Sequence, residues 1–309
     1  MVGGCARFAY THQVPTAYLV FLLANAVYGT SYVATRIVLE HDVGPATLAV
    51  ARLVIGVAIL APLALASRPA RDRLSRPDRW RSCWMGVLGF AAAFAFANWG
   101  IARSTATNAA LLITVEPVSL ILLSPLFLGE RLTCRELMGA ALTIVGATLV
   151  VLNGVPGLSV AIAPHWRGDL LLVLSGLAYA AYSLIGRDVL ARHAALSVTT
   201  WSMLWGLAAM APLGALEWLG GHRPRWSGTA MIGTAYLGVV ITAFGYLVWN
   251  WVLERVEAPR VALFVNVQPV VGALLGIWWL REPLTAFTVI GGALVLVGLH
   301  VALRSGRMV

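Results

Sequence analysis

Apolar stretches of about 20 residues recur along the whole chain, each bounded by a short polar segment that usually carries arginine. At 1.5 Å of rise per residue, about 20 apolar residues are what a helix needs to cross ~30 Å of hydrocarbon. Ten such stretches fall at 16–37, 45–67, 82–102, 106–128, 135–154, 168–186, 197–219, 228–251, 259–280 and 285–303. They consume nearly all of the chain and leave no room for a soluble catalytic domain. The pattern therefore predicts an all-α integral membrane protein with ten transmembrane helices.

The ten stretches are two sets of five. Residues 106–146 reappear as 258–298, sharing Ala106/Ala258, Leu111/Leu263, Val115/Val267, Pro117/Pro269, Glu130/Glu282, Thr133/Thr285, Gly139/Gly291 and Gly146/Gly298. The same offset pairs Asn98-Trp99 with Asn250-Trp251, and a shift of one residue pairs Tyr28 with Tyr179 and Arg36 with Arg187. An odd number of passes per copy forces the second copy to enter the membrane from the opposite side. The predicted organisation is a 1–15 amino-terminal segment, a first repeat over 16–154, an external linker over 155–167, an inverted second repeat over 168–303 and a 304–309 tail. Inverted repeats give a central site two related conformations open to opposite sides, the physical basis of alternating access. Ala24-Asn25-Ala26 after an apolar run mimics a signal-peptide site, but the first stretch is needed as the counterpart of the sixth. Gly272 with Gly276, and Ala106 with Ala110, have the four-residue spacing that lets membrane helices approach closely.

Composition and charge set orientation. Hydrophobic residues make up 60% of the chain and charged ones 11%, against about a quarter charged in soluble domains. All 22 basic residues are arginine, and the formal charge is +9. Arg68, Arg71, Arg73, Arg76, Arg79 and Arg81 cluster between the second and third stretches, which the positive-inside rule places in the cytoplasm. Arg131, Arg135, Arg187, Arg192, Arg255, Arg260, Arg304 and Arg307 fall on the same side, so both termini are expected there, in a bacterial-type inner membrane. Topogenic retention accounts for this charge without a nucleic-acid partner; the expected partners are the lipid bilayer and a small molecule. Cys5, Cys83 and Cys134 lack metal-ligand spacing and read as free thiols, so neither metal nor cofactor is expected. There is no G-x-x-x-x-G-K-[ST] loop, which leaves an ion gradient, protons among the candidates, or the substrate's own gradient as the energy source. An intramembrane enzyme is the alternative from a different class, yet H-E-x-x-H and G-x-S-x-G are both missing from the sequence. The reading is a transporter and not an enzyme.

Glu116-Pro117-Val118 followed by Phe127-Leu128-Gly129-Glu130-Arg131-Leu132-Thr133 resembles the EamA domain of the drug/metabolite transporter superfamily. Gln268-Pro269-Val270 with Glu282-Pro283-Leu284-Thr285 resembles its second copy, and Ala51-Arg52-Leu53 is similar to that family's second-helix arginine. The resemblance covers nearly the whole chain. It implies ten helices in two inverted repeats and export of amino acids or other small metabolites. This sequence departs from the pattern where Gly129 becomes Arg281 in the second copy, and in its long arginine-rich loop between the second and third stretches.

Charge at bilayer depth must be paired or near water, because insertion costs at least ~2.5 kcal/mol per group. Arg52 and Glu116 lie ~10 and ~13 Å deep by residue count. In the second copy Glu116 becomes Gln268, and Arg52 falls near Ser202 and Met203, so both charges vanish together. One reading makes Glu116 a site for a substrate ammonium or a proton beside Arg52; the other makes the two a static ion pair. Drug or cation export with Glu116 as counter-ion is a further alternative. Pro117 and Pro269 each free a backbone carbonyl, near Ile113 and Val265, and paired helix breaks point to the binding region of a repeat-built transporter. Asn98, Asn250, Asn266, Gln268, Tyr28, Tyr179 and Tyr246 are further candidates to line the cavity. Arg36 with Glu282 as an outer gate and Arg187 with Glu130 as an inner one is one reading of these helix-end charges; ordinary interfacial anchoring in contact with water is the other. His41, His165 and His222 read as solvated loop residues, and oligomeric state is not encoded legibly.

Overall fold

The computed structural model describes residues 4–67, 74–128, 132–153, 165–253 and 267–303. Among the described residues ten helical segments follow one another. They are α1 Gly4–Glu40, α2 Pro45–Ala66, α3 Arg76–Arg103, α4 in two pieces (Ala106–Leu112 and Val115–Leu128) and α5 Cys134–Leu152. The second set comprises α6 Trp166–Leu190, α7 Ala195–Leu219, α8 Gly228–Tyr236 continuing through Leu237–Gly245 and Tyr246–Leu253, α9 Val267–Trp279 and α10 Ala286–Leu303. Seven of them are long and apolar enough to cross a bilayer; Val267–Trp279 and Ala286–Ala302 are shorter apolar helices. Helix α1 starts well ahead of its predicted boundary, and the first part of the predicted ninth stretch lies outside the described residues.

Local chemistry sets several ends. Pro45 occupies the first turn of α2, where its missing N–H goes unnoticed. Thr133 and Glu136 form a reciprocal capping box at the start of α5, satisfying two orphan donors.

The inversion is visible in the contact between α5 and α10, which are equivalent helices of the two copies. A Cβ added to Gly146 would stand 2.5 Å from the Gly291 carbonyl oxygen, and one on Gly298 would stand 2.7 Å from that of Gly139. The sequence equivalents are Gly139/Gly291 and Gly146/Gly298, so each glycine of one copy meets the partner of the other. Such reciprocity requires a two-fold relation with the helices antiparallel. Thr285 Oγ1, ahead of α10, accordingly donates to Asn153 Oδ1 at the far end of α5, 3.0 Å away, at the opposite end from Thr133. Gly146→Leu should drive the two backbones apart and eliminate the monodisperse peak in detergent chromatography, whereas Ile144→Leu on the exposed face of α5 should leave it unchanged. Retention of the peak by Gly146→Leu would remove the close crossing. Gly272 and Gly276 pack as their spacing predicts: added Cβ atoms would meet Ala110 Cβ at 2.5 Å and Thr107 N at 3.1 Å.

Two irregularities place the interior. Helix α4 ends at Leu112, turns through Ile113 and Thr114, and restarts at Val115, two residues ahead of Pro117. The equivalent stretch ahead of Pro269 lies outside the described residues, which resume at Val267 in helix α9. In addition, α3 and α8 widen to π-helix over Gly86–Ala92 and Leu237–Gly245, equivalent positions in the two copies. Such segments rotate everything downstream and concentrate at functional sites.

Candidate functional site

A cavity of about 110 Å³ lies between the two repeats. Helix α1 contributes Tyr28, Ser31, Tyr32 and Thr35, α2 Arg52, and α3 Phe94, Ala97, Asn98 and Ile101. Helix α4 and its break add Ile113 and Glu116, α6 adds Tyr179, Tyr182 and Ser183, α8 adds Ile241, Tyr246 and Trp249, and α9 adds Gln268. The walls therefore hold one cation and one anion amid aromatic rings and neutral polar groups.

Arg52 is buried at 7% exposure. Its Nε donates to Thr242 Oγ1 at 3.1 Å, and its guanidinium carbon lies 4.4 Å from the centre of the Phe94 ring. The hydroxyl of Thr242 in turn donates to the Leu237 carbonyl, five residues back in the π-helical segment, at 2.8 Å. Glu116 sits in the first turn of the restarted half of α4, with its N–H on the Ile113 carbonyl at 2.9 Å. Gly176 of α6 backs it closely, since a Cβ there would lie 3.2 Å from the Glu116 nitrogen.

The static Arg52–Glu116 ion pair, one of the two readings the sequence left open, does not form: no salt bridge joins them among the described residues. Thr242 and Phe94 hold Arg52 on the α3 and α8 side, while the break in α4 leaves Glu116 facing α6. Two further wall atoms, Tyr28 Oη and Asn98 Oδ1, are buried without a hydrogen-bond partner, although Asn98 Nδ2 donates to the Pro45 carbonyl at 2.9 Å. Buried polar atoms are almost always satisfied in proteins, so a wall carrying separated opposite charges and spare acceptors is built for something polar to enter. The aromatic rings join these poles: Tyr179 and Tyr246 lie 6.3 Å apart, and Phe90 lies 4.6 Å from Tyr246.

Of the residues singled out from sequence, Arg52, Glu116, Asn98, Gln268, Tyr28, Tyr179 and Tyr246 line this one cavity. Asn250 does not. It is fully buried between helices, donating to Tyr182 Oη at 3.1 Å and to Thr199 Oγ1 at 2.5 Å, a structural tie of the kind that interhelical amides form. Asn266 and Glu130 lie outside the described residues, and Arg187 is exposed near the end of α6. Phe94 and Trp249 on the wall, and Thr242 behind Arg52, escaped sequence reasoning, because the π-helical widening near them has no residue signature.

The outer gate is also differently wired. Arg36 does not reach Glu282; it donates to Glu40 at 2.7 Å and to the carbonyls of Ile101 and Ser104 at 2.8 and 2.9 Å. Glu282 instead caps the start of α4, accepting from the N–H groups of Ala106 and Thr107 at 2.7 and 2.8 Å and from Thr107 Oγ1 at 2.6 Å. Both charges grip the same α3–α4 junction from different sides. Arg281, standing where the first copy has Gly129, takes a left-handed φ of 54° immediately before Glu282. Glu217 repeats the device on α2, accepting from Ala46 and Thr47 N–H at 3.3 and 2.7 Å and from Thr47 Oγ1 at 2.8 Å. His165 is another correction: instead of being solvated it is buried, with Nδ1 2.6 Å from Asp169 Oδ2. Ser104 and Asn108 donate to the other oxygen of Asp169, so the carboxylate's burial is compensated by three donors.

At the opposite end, Asp78 gathers Arg192 at 2.7 Å and His193 at 3.0 Å, joining the start of α3 to the end of α6. This end carries the arginine cluster. No group of three or more metal-ligating side chains occurs among the described residues.

Known proteins match over nearly the whole chain. The model of the EamA-like transporter family matches residues 15–152 and again 166–304. An uncharacterized transporter of Archaeoglobus fulgidus is 28% identical over 93% of this chain and 98% of its own. A probable terminal-alkyne amino-acid exporter of Streptantibioticus cattleyicolor is 27% identical over 90% of each chain, and a probable amino-acid metabolite efflux pump of Escherichia coli is 26% identical over 91% and 92%. A solved crystal structure superposes with a TM-score of 0.64 at 23% identity, covering 93% of this chain and 96% of that one, a likeness of fold. With two matched copies, a multi-pass helical bundle and a cavity between its halves, the chain belongs to the EamA-like transporter family.

Proposed function

We propose that this transporter is an exporter of small zwitterionic, amino-acid-like metabolites, working by alternating access between its inverted repeats without ATP. The observation that carries this reading is that Arg52 and Glu116 line one cavity without pairing with each other. A carboxylate at the guanidinium and an ammonium at Glu116 would each supply an opposite charge that neither side chain finds among the described residues, at a depth where uncompensated charge is costly. The names borne by the relatives from Streptantibioticus cattleyicolor and Escherichia coli point to amino-acid cargo as well. The arginine distribution supports an orientation with both termini in the cytoplasm, and the reading puts the protein in a bacterial-type inner membrane.

Counterflow in proteoliposomes provides the test. Zwitterionic amino acids should exchange at least about 10-fold faster than their methyl esters or decarboxylated amines, one lost charge-assisted contact being worth ~1.5–3 kcal/mol. Equal exchange of amines and zwitterions would instead favour export of cations with Glu116 as counter-ion. Glu116 is also the residue to examine for proton coupling. With an imposed pH gradient, Glu116→Gln should retain exchange of a zwitterion at reduced affinity but lose gradient-driven accumulation; unchanged accumulation would make Glu116 a binding group alone.

A further inference from the structure

Resting on the reading of Arg52 as the carboxylate site, we propose that Thr242 is a specificity-determining positioning residue that fixes which edge of the Arg52 guanidinium faces the cavity. A guanidinium offers two edges for a bidentate grip on a carboxylate, one formed by Nε with a terminal nitrogen and one by the two terminal nitrogens. Thr242 takes the first by accepting from Nε at 3.1 Å. Phe94 covers a flat face at 4.4 Å. The terminal fork is what is left for a ligand.

The orientation of Thr242 is itself fixed. A hydroxyl has one hydrogen, and here it is given to the Leu237 carbonyl at 2.8 Å, so toward Arg52 the oxygen must accept. In a regular α-helix a threonine would bond back to the carbonyl four residues earlier; the π-helical segment Leu237–Gly245 moves that partner to five and turns the oxygen toward α2. Helix α8 can come this near α2 because Gly238 is bare: a Cβ there would lie 2.7 Å from Ile55. Gly56, on α2, has the Thr242 methyl 3.2 Å from where its own Cβ would be. The contact crosses the repeat boundary and has no twin, since the position equivalent to Thr242 is Phe90 and that equivalent to Arg52 is the neighbourhood of Met203.

The test is competition in counterflow with three probes: alanine, its methyl ester and ethylamine. Thr242→Val, which keeps shape and removes the acceptor, should raise KM for alanine about 10-fold while leaving maximal exchange and the KM values of the ester and the amine within about two-fold. Thr242→Ser should restore alanine. A merely structural role would move all three probes together, and that outcome overturns the proposal, as does an unchanged KM for alanine. Arg52→Gln separates the two levels of argument. If it leaves the preference for alanine over ethylamine intact, the carboxylate-site reading fails; if it abolishes that preference while Thr242→Val preserves it, only the role of Thr242 fails.

Discussion

Arg52→Gln should cut exchange of a zwitterionic substrate at least about 100-fold and at the same time leave the protein as stable as the parent or more so. The two halves of this expectation come from one fact. Arg52 is a buried cation with no acidic partner among the described residues; a hydroxyl and an aromatic face are what the fold provides. An isolated buried charge destabilises, and replacing such a group with a neutral one of similar volume is often neutral or favourable. Two charge-assisted bonds from the guanidinium fork to a substrate carboxylate, at ~1.5–3 kcal/mol each, correspond to two or more decades of affinity. A residue kept for folding would behave in the opposite manner. Flux in proteoliposomes and thermal unfolding in detergent, measured on the same preparation, decide: a lower melting temperature with proportionate loss of flux would assign Arg52 to the scaffold.

Much of this arrangement was legible in the sequence because bilayer physics leaves few solutions. Helices must satisfy their own backbone groups, so apolar length alone locates them, and the repeat of Thr133, Gly139 and Gly146 at Thr285, Gly291 and Gly298 carries the inversion. Pro117 announced the break at Ile113 and Thr114 for a chemical reason, the missing donor. Arg52 and Glu116 stood out through cost. What stayed hidden was how these charges are partnered. Deep charges of opposite sign invite pairing, yet the choice between an ion pair and an open site turned on π-helical segments in α3 and α8. Those segments depend on backbone packing at Gly86, Gly89 and Gly238, where Cβ atoms would collide with α7, α6 and α2, and not on any local motif. His165 was misjudged, and Glu217 passed unnoticed, for a related reason. Residues at helix ends near water read as solvated, whereas tertiary contact enlists them as a cap and as part of a buried network.

Removing Glu282 should open the end of the bundle that the charge rule places outside. Its carboxylate belongs to the second repeat and satisfies the first two N–H groups of α4 in the first, exploiting the positive end of a helix as well as two bonds. Loss of an N-terminal cap costs ~0.5–2 kcal/mol, a shift of about 2- to 30-fold in any equilibrium that breaks this contact. Glu282→Ala should therefore raise the labelling rate of a cysteine placed at Ser31, on the cavity wall, by about 10-fold from the outer side, with the native cysteines replaced. Glu217→Ala should act in the same direction and add to it, since its cap on α2 is a separate contact. Exchanging the charges of Arg36 and Glu282 should not rescue either single change, because Arg36 donates to carbonyl oxygens that a carboxylate cannot replace. The second repeat has these carboxylates reaching onto the first at one end, and Ala66 stands about where the first repeat would need its own Glu217. Among the described residues two carboxylate caps of the second repeat hold the outer mouth, so the substrate-free protein should favour the outer-closed form, and labelling that was fast in the parent and indifferent to both substitutions would contradict this.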